Sequence, residues 1–326
     1  MSGQVAVRIQ TAPSRLRQIL IGGFGIVLAL LVLIVVFSIL SPVFLTFDNL
    51  RAIVTQAGTN AIIAAGMTFV ILAGEIDLSV GATLALTSVV GAQIMVNSGS
   101  AMLGILVACV LGIILGAING AFVARLGFPS FIVTLSTMWL FRGSAYVFTE
   151  GQAVVNLPQS NMNLSLGSFL HFPSIGWVVV VTFVICYVVL RHVTFGRRVY
   201  AVGDSRESAR LSGINVRAIK LAVFTIAGFL SALGGVVLMS RLNSGQPVAG
   251  LGYELSAIAA AVIGGTSLTK GGVGGIIGTL IGALFIGTLQ NGLVLLNVTS
   301  FYQQVLMGIV VLLAVGIDKY RKTLSA

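Results

Sequence analysis

Charged residues are scarce in this chain. Of its 326 residues, 18 are Lys or Arg and 8 are Asp or Glu, so only 8 % carry a charge, whereas a soluble globular domain carries roughly 25 %. A water-soluble chain of this length needs a charged surface, and these residues are too few to build one. The shortage argues against a soluble enzyme, a nucleic-acid-binding protein and a disordered chain.

Cysteine and histidine are almost missing as well. The two cysteines, Cys109 and Cys186, lie in apolar runs, and the two histidines are His171 and His192. They do not support a disulfide framework, a metal site or a Cys/His or Ser/His/Asp group. We therefore expect no catalytic residue and no metal ligand in this chain.

A phosphate-binding loop is also missing. The glycine-rich stretch 264–271 invites that interpretation, but such a loop needs Gly-Lys-Ser/Thr in this order, and here Thr269 precedes Lys270 and Gly271 follows it. We therefore expect that the chain binds no ATP and no other cofactor, and that it is not an enzyme.

Long apolar segments are abundant. Hydrophobic residues make up 57 % of the chain, and 40 glycines stand against 6 prolines, which suits closely packed membrane helices. A spanning helix needs about 20 mostly apolar residues, and ten segments qualify. They are 19–40, 52–73, 79–97, 101–124, 129–149, 174–191, 218–240, 252–269, 272–296 and 300–317. We expect an all-α polytopic membrane protein. The eighth and ninth segments almost merge around Lys270, so one of them is open to being broken or re-entrant.

The basic residues predict the orientation. If the N-terminus is cytoplasmic and all ten segments cross, 15 of the 18 Lys and Arg residues fall inside, and only Arg51, Arg142 and Arg241 fall outside. Both termini are then cytoplasmic. The expected parts are an N-terminal segment at 1–18, a single transmembrane domain at 19–317 with a periplasmic loop at 150–173 and a cytoplasmic loop at 192–217, and a cytoplasmic tail at 318–326.

The fourth and ninth segments share a pattern of small residues. The fourth carries one at every fourth position from Gly104 to Gly120, and the ninth does so from Gly274 to Gly282. Such a face lets another backbone approach closely. Because the segments are five spans apart and run in opposite directions, they fit an inverted repeat of two five-helix halves. The alternative is that membrane helices simply use glycine often.

The cytoplasmic loop carries the signs of a short helix. Asp204 or Ser205 can cap its start, Glu207 falls in the first turn, and Gly213 can end it in a left-handed conformation. An isolated helix of about two turns is marginal in water, so it needs a partner surface. The alternative is a solvated loop that is basic only because it lies inside.

A few polar side chains lie in or near the spans. Asp77 or Ser79 can cap the third span, or Asp77 contributes to a transport pathway or its gate. Glu75 and Glu254 should lie at an interface or in a wet cavity, because a charge at the bilayer centre is costly. The pathway candidates are Asn60, Thr68, Asp77, Gln290 and Asn291, with Phe131 as a stacking ring. The alternative is that the amides and hydroxyls only join helices.

Several motifs are shared with a known family. They are Gly-x-Ile-Asp-Leu-Ser-Val-Gly-Ala at 74–82, Phe-Ile-Val-Thr-Leu at 131–135 with Arg142-Gly143, Tyr-Ala-x-Gly at 200–203, Ala-Arg-Leu-Ser-Gly-Ile-Asn-Val at 209–216, Gln246-Pro247, Gly252-Tyr253-Glu254-Leu255, Gly-Gly-Thr-Ser-Leu at 264–268 and Gln290-Asn291-Gly292-Leu293. From about residue 40 onward the chain resembles the membrane permeases of bacterial monosaccharide ABC importers, the ribose-type family. It departs from the family pattern at Glu75, where the family has a small residue.

The resemblance implies several partners. They are a second permease copy or a close relative, cytoplasmic ABC ATPase subunits that bind ATP-Mg, and a periplasmic sugar-binding protein. The short cytoplasmic helix is then a coupling helix in a groove of the ATPase. The residues implied for this contact are Gly203, Asp204, Glu207, Arg210, Leu211, Gly213 and Ile214. A monosaccharide would cross the bacterial inner membrane by alternating access.

Three alternatives stay open at this point. Sister families carry nucleosides or branched-chain amino acids. An ion-coupled secondary transporter would need an acid or an ion cage deep within a span, whereas the acids here lie near span ends. A membrane-embedded enzyme would need catalytic groups that the sequence does not supply.

Overall fold

The computed structural model describes residues 24–161, 167–169 and 172–325. The predicted segment 1–18 and part of the predicted loop 150–173 lie outside these residues. The described chain is almost entirely helical, with one antiparallel hairpin of β1 (Ser168–Phe169) and β2 (Phe172–Pro173). The helices are α1 (Phe24–Leu40), α2 (Phe47–Leu72), α3 (Val80–Ser98), α4 (Ala101–Ala124), α5 (Ser130–Thr149), α6 (Ser174–Arg191), α7 (Thr194–Asp204), α8 (Arg206–Leu211), α9 (Val216–Leu242), α10 (Tyr253–Ile263), α11 (Ile276–Leu295) and α12 (Ser300–Ser325).

Seven of these helices are long and apolar enough to cross a membrane, namely α2 to α6, α9 and α11. Shorter apolar helices lie at Gly25–Leu40, Tyr253–Ile263 and Ser300–Gly316. Large apolar side chains stand on the outer surface, such as Ile39 and Trp139, which are 79 % and 71 % exposed. This surface suits lipid rather than water. The chain is therefore a multi-pass membrane protein, as its composition predicts. Among the described residues seven helices are long enough to span, three fewer than the ten predicted segments.

Helix α2 lies at the centre of the bundle. It packs on α6, α9, α10 and α11, and its residues are buried without interruption from Ala57 to Leu72. Small residues bring the other helices together. A Cβ added at Gly116 on α4 would overlap the Phe224 carbonyl oxygen on α9, and one added at Gly278 on α11 would overlap the Gly264 carbonyl oxygen after α10. Both predicted small-residue faces thus serve close packing, although they meet different partners.

The segment after α9 returns into the bundle. These residues, 243–252, are called the re-entrant segment below. They run along α3, with Gly245 against its second half and Gly250 against Gly81 in its first turn. The re-entrant segment has no regular secondary structure, and Gly250 adopts the left-handed conformation at φ +74°. Ser244, Gly245, Pro247 and Gly250 are buried against protein, whereas Val248 and Leu251 are exposed.

Helix α10 begins where the re-entrant segment ends. Its 11 residues, Tyr253–Ile263, rise about 16 Å, roughly half of the hydrocarbon thickness of a membrane. The predicted eighth span, 252–269, is therefore wrong in length. The helix stops early because Gly265 follows with φ +93°, a conformation that a helix cannot continue.

Candidate functional site

The predicted cytoplasmic loop folds into two helices instead of one. The first, α7, is missing from the prediction, because Gly196 and Gly203 are poor helix formers. Tertiary packing overrides this preference. Gly196, Val199 and Val202 are buried at a spacing of three residues, which puts them on one face of the helix. A Cβ at Gly196 would overlap the backbone of Leu190 at the end of α6.

The second helix, α8, starts and stops at the predicted signals. Ser205 is its N-cap, and its side chain accepts a hydrogen bond from the Ser208 N–H at 3.2 Å. Asp204, the other predicted cap, ends α7 instead. At the far end Gly213 has φ +78°, and the Ile214 N–H donates to the Ala209 carbonyl at 3.0 Å. The helix has only 6 residues, fewer than the two turns expected.

Most of α8 is left uncovered by the described part of the chain. Ala209 is buried, whereas Leu211 is 80 % exposed. Glu207 and Arg210 are exposed beside it, as are Asp204 and Gly213 at the two ends. Ile214 is half-buried and packs on the core. An apolar side chain flanked by both charges is thus presented on a helix that is too short to be stable by itself.

The end of α7 meets the end of α2. A Cβ at Gly203 would overlap the carbonyl oxygen of Leu72, the last residue of α2. The Gly272 N–H donates to the same carbonyl oxygen at 2.9 Å. The Tyr200 hydroxyl donates to the Gly274 carbonyl at 3.1 Å. The loop 264–275, Gly203 and the end of the central helix therefore form one junction.

The α2–α3 connection (73–79) follows directly from this junction. Gly74 is left-handed, and the Glu75 N–H donates to the Val70 carbonyl at 3.1 Å, which is the hydrogen bond of a Schellman end. Arg206 Nη2 lies 2.8 Å from Glu75 Oε1, and Lys220 Nζ lies 2.5 Å from the same oxygen. Glu75 is buried at 7 % exposure, so it is an ion-paired acid at this junction. Sequence reasoning missed both cations.

Asp77 does not cap α3 as proposed from the sequence. Its Oδ1 accepts from the Ser79 N–H at 2.8 Å and from the Ser79 hydroxyl at 2.6 Å, and Ser79 itself makes no capping hydrogen bond. The Ser79 hydroxyl also accepts from Asn119 Nδ2 at 2.8 Å. Burial raises the pKa of Asp77 to about 6, and the hydrogen bonds from Ser79 oppose this rise. Asp77 therefore fixes the shape of the connection and ties it to α4.

Two predicted pathway residues join helices. The Thr68 and Thr279 hydroxyl oxygens are 2.7 Å apart between α2 and α11. Asn291 and Asn49 exchange two amide hydrogen bonds of 2.9 and 3.0 Å. These contacts favour the alternative that the polar groups hold helices together.

The other predicted pathway residues differ in their surroundings. Gln290 is half-buried, and Phe131 is 52 % exposed on the surface of α5. Asn60 is buried at 7 % exposure, and neither its Oδ1 nor its Nδ2 has a hydrogen-bond partner among the described residues. An unpartnered buried amide is costly, so Asn60 is the residue of this set with capacity left for a ligand.

A cavity lies at the end of the bundle opposite the junction. Its volume is about 550 Å³, and it is lined by α2, by the end of α9 and by the hairpin region. The lining residues are Asp48, Arg51, Ala52, Thr55, Gln56, Gly167, Pro173 and Arg241. Asn60 lies one helical turn beyond Gln56 on α2, so it continues the polar side of this cavity toward the bundle centre.

Arg142 holds the re-entrant segment. Its side chain is 8 % exposed, and Nη1 donates to the Pro247 carbonyl at 2.9 Å and also to the Ala249 carbonyl. One charged side chain thus satisfies two backbone acceptors inside the bundle. The sequence marks Arg142 only as part of a motif, because its partners are more than a hundred residues away.

Comparisons with known proteins agree along almost the whole chain. Residues 49–315 match the family model described as the permease component of a branched-chain amino acid transport system. The chain is 46 % identical over 299 residues to the ribose import permease protein RbsC of Escherichia coli strain K12, covering 90 % of this chain and 93 % of that protein. It is 48 % identical over 298 residues to RbsC of Bacillus subtilis, covering 90 % and 92 %.

An arabinose permease is also similar. The L-arabinose ABC transporter permease protein AraH of Azospirillum brasilense is 40 % identical over 303 residues, which covers 93 % of this chain and 89 % of that protein. No solved structure matches this chain.

Proposed function

The chain belongs to the family of branched-chain amino acid transport system permease components, and on that premise we propose that it is the membrane subunit of an ATP-driven importer of ribose or a related sugar. The observation that carries this proposal is the similarity at 46–48 % identity, over about nine-tenths of both chains, to permeases named for ribose import. The sugar is taken from the names of these relatives. The family description itself keeps branched-chain amino acids as the second candidate.

The proposed partners follow from the exposed helix α8. We propose that it is the coupling helix, and that Leu211 enters an apolar pocket of a cytoplasmic ATPase subunit while Glu207 and Arg210 form the polar rim. ATP-Mg is then bound and hydrolysed by that subunit. A second permease copy or a close relative, and a periplasmic sugar-binding protein, complete the proposed importer in the bacterial inner membrane.

The proposed membrane architecture has ten spans in two inverted halves. The seven long apolar helices and the three shorter ones overlap the ten predicted segments, although α10 covers only part of the eighth. The packing supports the repeat, because helix contacts occur in equivalent pairs, two within the halves and two between them. The pair α2–α11 matches α9–α4, α3–α4 matches α10–α11, α3–α5 matches α10–α12, and α2–α10 matches α9–α3. The helices α2 and α9 then take equivalent places at the centre.

This topology gives a direct prediction. In a variant without Cys109 and Cys186, a cysteine at Ser160 should react with an impermeant thiol reagent in cells with a permeabilised outer membrane. A cysteine at Ser208 should react only after the inner membrane is opened. Both side chains are exposed on the protein, so labelling depends on whether the reagent reaches their side of the membrane. Labelling of Ser208→Cys but not Ser160→Cys while the inner membrane is intact would overturn the orientation.

The proposed sugar pathway passes Asn60. Neutral sugars are bound through hydrogen bonds, and the buried amide of Asn60 has no partner among the described residues. Gln56, which lines the cavity with Arg51 and Arg241, lies one helical turn from Asn60 on α2. Asp77, Gln290 and Phe131 stay predictions. Thr68 and Asn291 are better explained by their helix contacts.

Substitution of Asn60 tests the pathway. Asn60→Leu should raise the KM of uptake about 3- to 30-fold, since a hydrogen bond in such a setting contributes about 0.6–2 kcal/mol. Asn291→Leu is the matched control, because its amide pairs with Asn49. It should lower the melting temperature in detergent and leave KM unchanged. A normal KM for Asn60→Leu at normal abundance would remove Asn60 from the pathway.

Uptake of labelled solutes tests the proposed substrate. Cells that lack their own pentose importers should take up ribose or arabinose when they express this chain with its ATPase subunits and binding protein. Leucine and uridine belong in the same panel. Uptake of leucine without any sugar would overturn the sugar assignment and favour the second candidate.

A further inference from the structure

Glu75 joins three elements on one side of the protein. It belongs to the α2–α3 connection, and its Oε1 contacts both Arg206, the first residue of α8, and Lys220 near the start of α9, at 2.8 and 2.5 Å. Arg206 Nη2 also donates to the Gly74 carbonyl at 3.1 Å. One carboxylate oxygen therefore connects the short exposed helix to the end of the central helix.

The two ion pairs differ in burial. The side chains of Glu75 and Lys220 are 6 % and 12 % exposed, whereas that of Arg206 is 55 % exposed. Loss of one partner from a buried ion pair leaves an uncompensated buried charge. We therefore expect Glu75 and Lys220 to remain paired. The pair with Arg206 is solvated and can break and reform more easily.

The α2–α3 connection contacts α5 and leads into α3. The Ile76 N–H donates to the Ser130 hydroxyl oxygen on α5 at 3.3 Å. The connection then enters α3, where Gly81 lies against Gly250 of the re-entrant segment. A shift at Glu75 therefore reaches α3 and the re-entrant segment through a short chain of direct contacts.

We propose that Glu75 is a positioning residue for transport, which transmits movement of α8 through Arg206 to the α2–α3 connection and the re-entrant segment. This inference rests on the proposed function, because α8 is moved by the ATPase only if it is the coupling helix.

The test separates ATP hydrolysis from sugar uptake. The permease, its ATPase subunits and its binding protein are reconstituted in proteoliposomes, and both rates are measured with labelled sugar. Glu75→Gln keeps the shape of the side chain and removes its charge. Uptake per ATP hydrolysed should fall about tenfold, a usual size for one coupling interaction. Co-purification of the ATPase and its basal hydrolysis should stay normal, because Leu211 and Arg210 are untouched.

Three further variants separate a coupling role of Glu75 from other effects of the substitution. Glu75→Asp keeps the charge and should recover part of the coupling. Glu150→Gln removes an exposed carboxylate on the opposite side and should behave as wild type. Glu75→Gln with Lys220→Met removes both charges of the buried pair but leaves Arg206 without its carboxylate partner, so it should stay uncoupled.

Several outcomes would overturn the inference. Normal uptake per ATP in Glu75→Gln would do so and would leave the permease assignment intact. Full recovery in the double variant would also do so, because Glu75 would then only neutralise Lys220. A wild-type complex without ATP-dependent uptake would overturn the proposed function and this inference together.

Discussion

Gly213→Val should abolish ATP-driven uptake while the protein still inserts into the membrane. Gly213 has φ +78°, and a Cβ there would meet no neighbouring atom, so the effect is backbone strain rather than a clash. The left-handed conformation costs a residue with a Cβ roughly 1–2 kcal/mol. This is a large penalty for a helix of 6 residues, and the end of α8 should lose its shape. Co-purification with the ATPase subunit should fall at least about tenfold.

The controls separate a docking defect from strain in general. Gly99→Val introduces a valine at φ +68°, also without neighbouring atoms, in the turn between α3 and α4 on the opposite side. It should retain uptake and the ATPase. Arg210→Glu should leave α8 folded and reverse one exposed charge, and it should lose the ATPase as well. If Gly213→Val and Arg210→Glu both kept the ATPase at wild-type stoichiometry, and loaded binding protein still stimulated hydrolysis, α8 would be an ordinary basic loop.

Arg142→Met should destabilise the protein and stop transport. It removes the donor that the Pro247 and Ala249 carbonyls share, and each buried acceptor without a partner costs about 1–3 kcal/mol. The re-entrant segment should detach from α5. The apparent melting temperature in detergent should fall, together with abundance in the membrane.

A matched arginine provides the comparison. Arg125 is exposed at the end of α4, so Arg125→Met makes the same chemical change without exposing a buried acceptor, and it should keep the wild-type melting temperature. Arg142→Lys keeps the charge but lacks the planar fork of donors, and its melting temperature should be intermediate. Equal melting temperatures for Arg142→Met and Arg125→Met would contradict the role assigned to Arg142.

Apolar length predicts much of this fold from the sequence. The predicted segments 101–124 and 174–191 have the same bounds as α4 and α6, because hydropathy and helix length both follow from the membrane thickness. The predicted length of the eighth segment is wrong because it is deduced from hydropathy alone. Its composition is mostly apolar, and the left-handed conformations of Gly250 and Gly265 are known only from the backbone.

The cytoplasmic site is predictable where local chemistry decides it. Ser205 and Gly213 act within one or two residues of themselves, so their capping roles can be deduced from the sequence. The partners of Glu75 are 131 and 145 residues away along the chain, and no local sequence pattern predicts them. Helix α7 is missed because its buried face is created by contact with α6 rather than by its own helix propensity.

We propose that this chain moves a sugar when a separate subunit hydrolyses ATP. The most direct measurement is uptake of labelled ribose and arabinose into proteoliposomes that hold the permease with its ATPase subunits, with the binding protein on one side and ATP-Mg on the other. We expect uptake that requires both ATP and the binding protein and that a protonophore does not change. Uptake that continues without ATP and disappears when the proton or sodium gradient is collapsed would contradict it and identify an ion-coupled transporter.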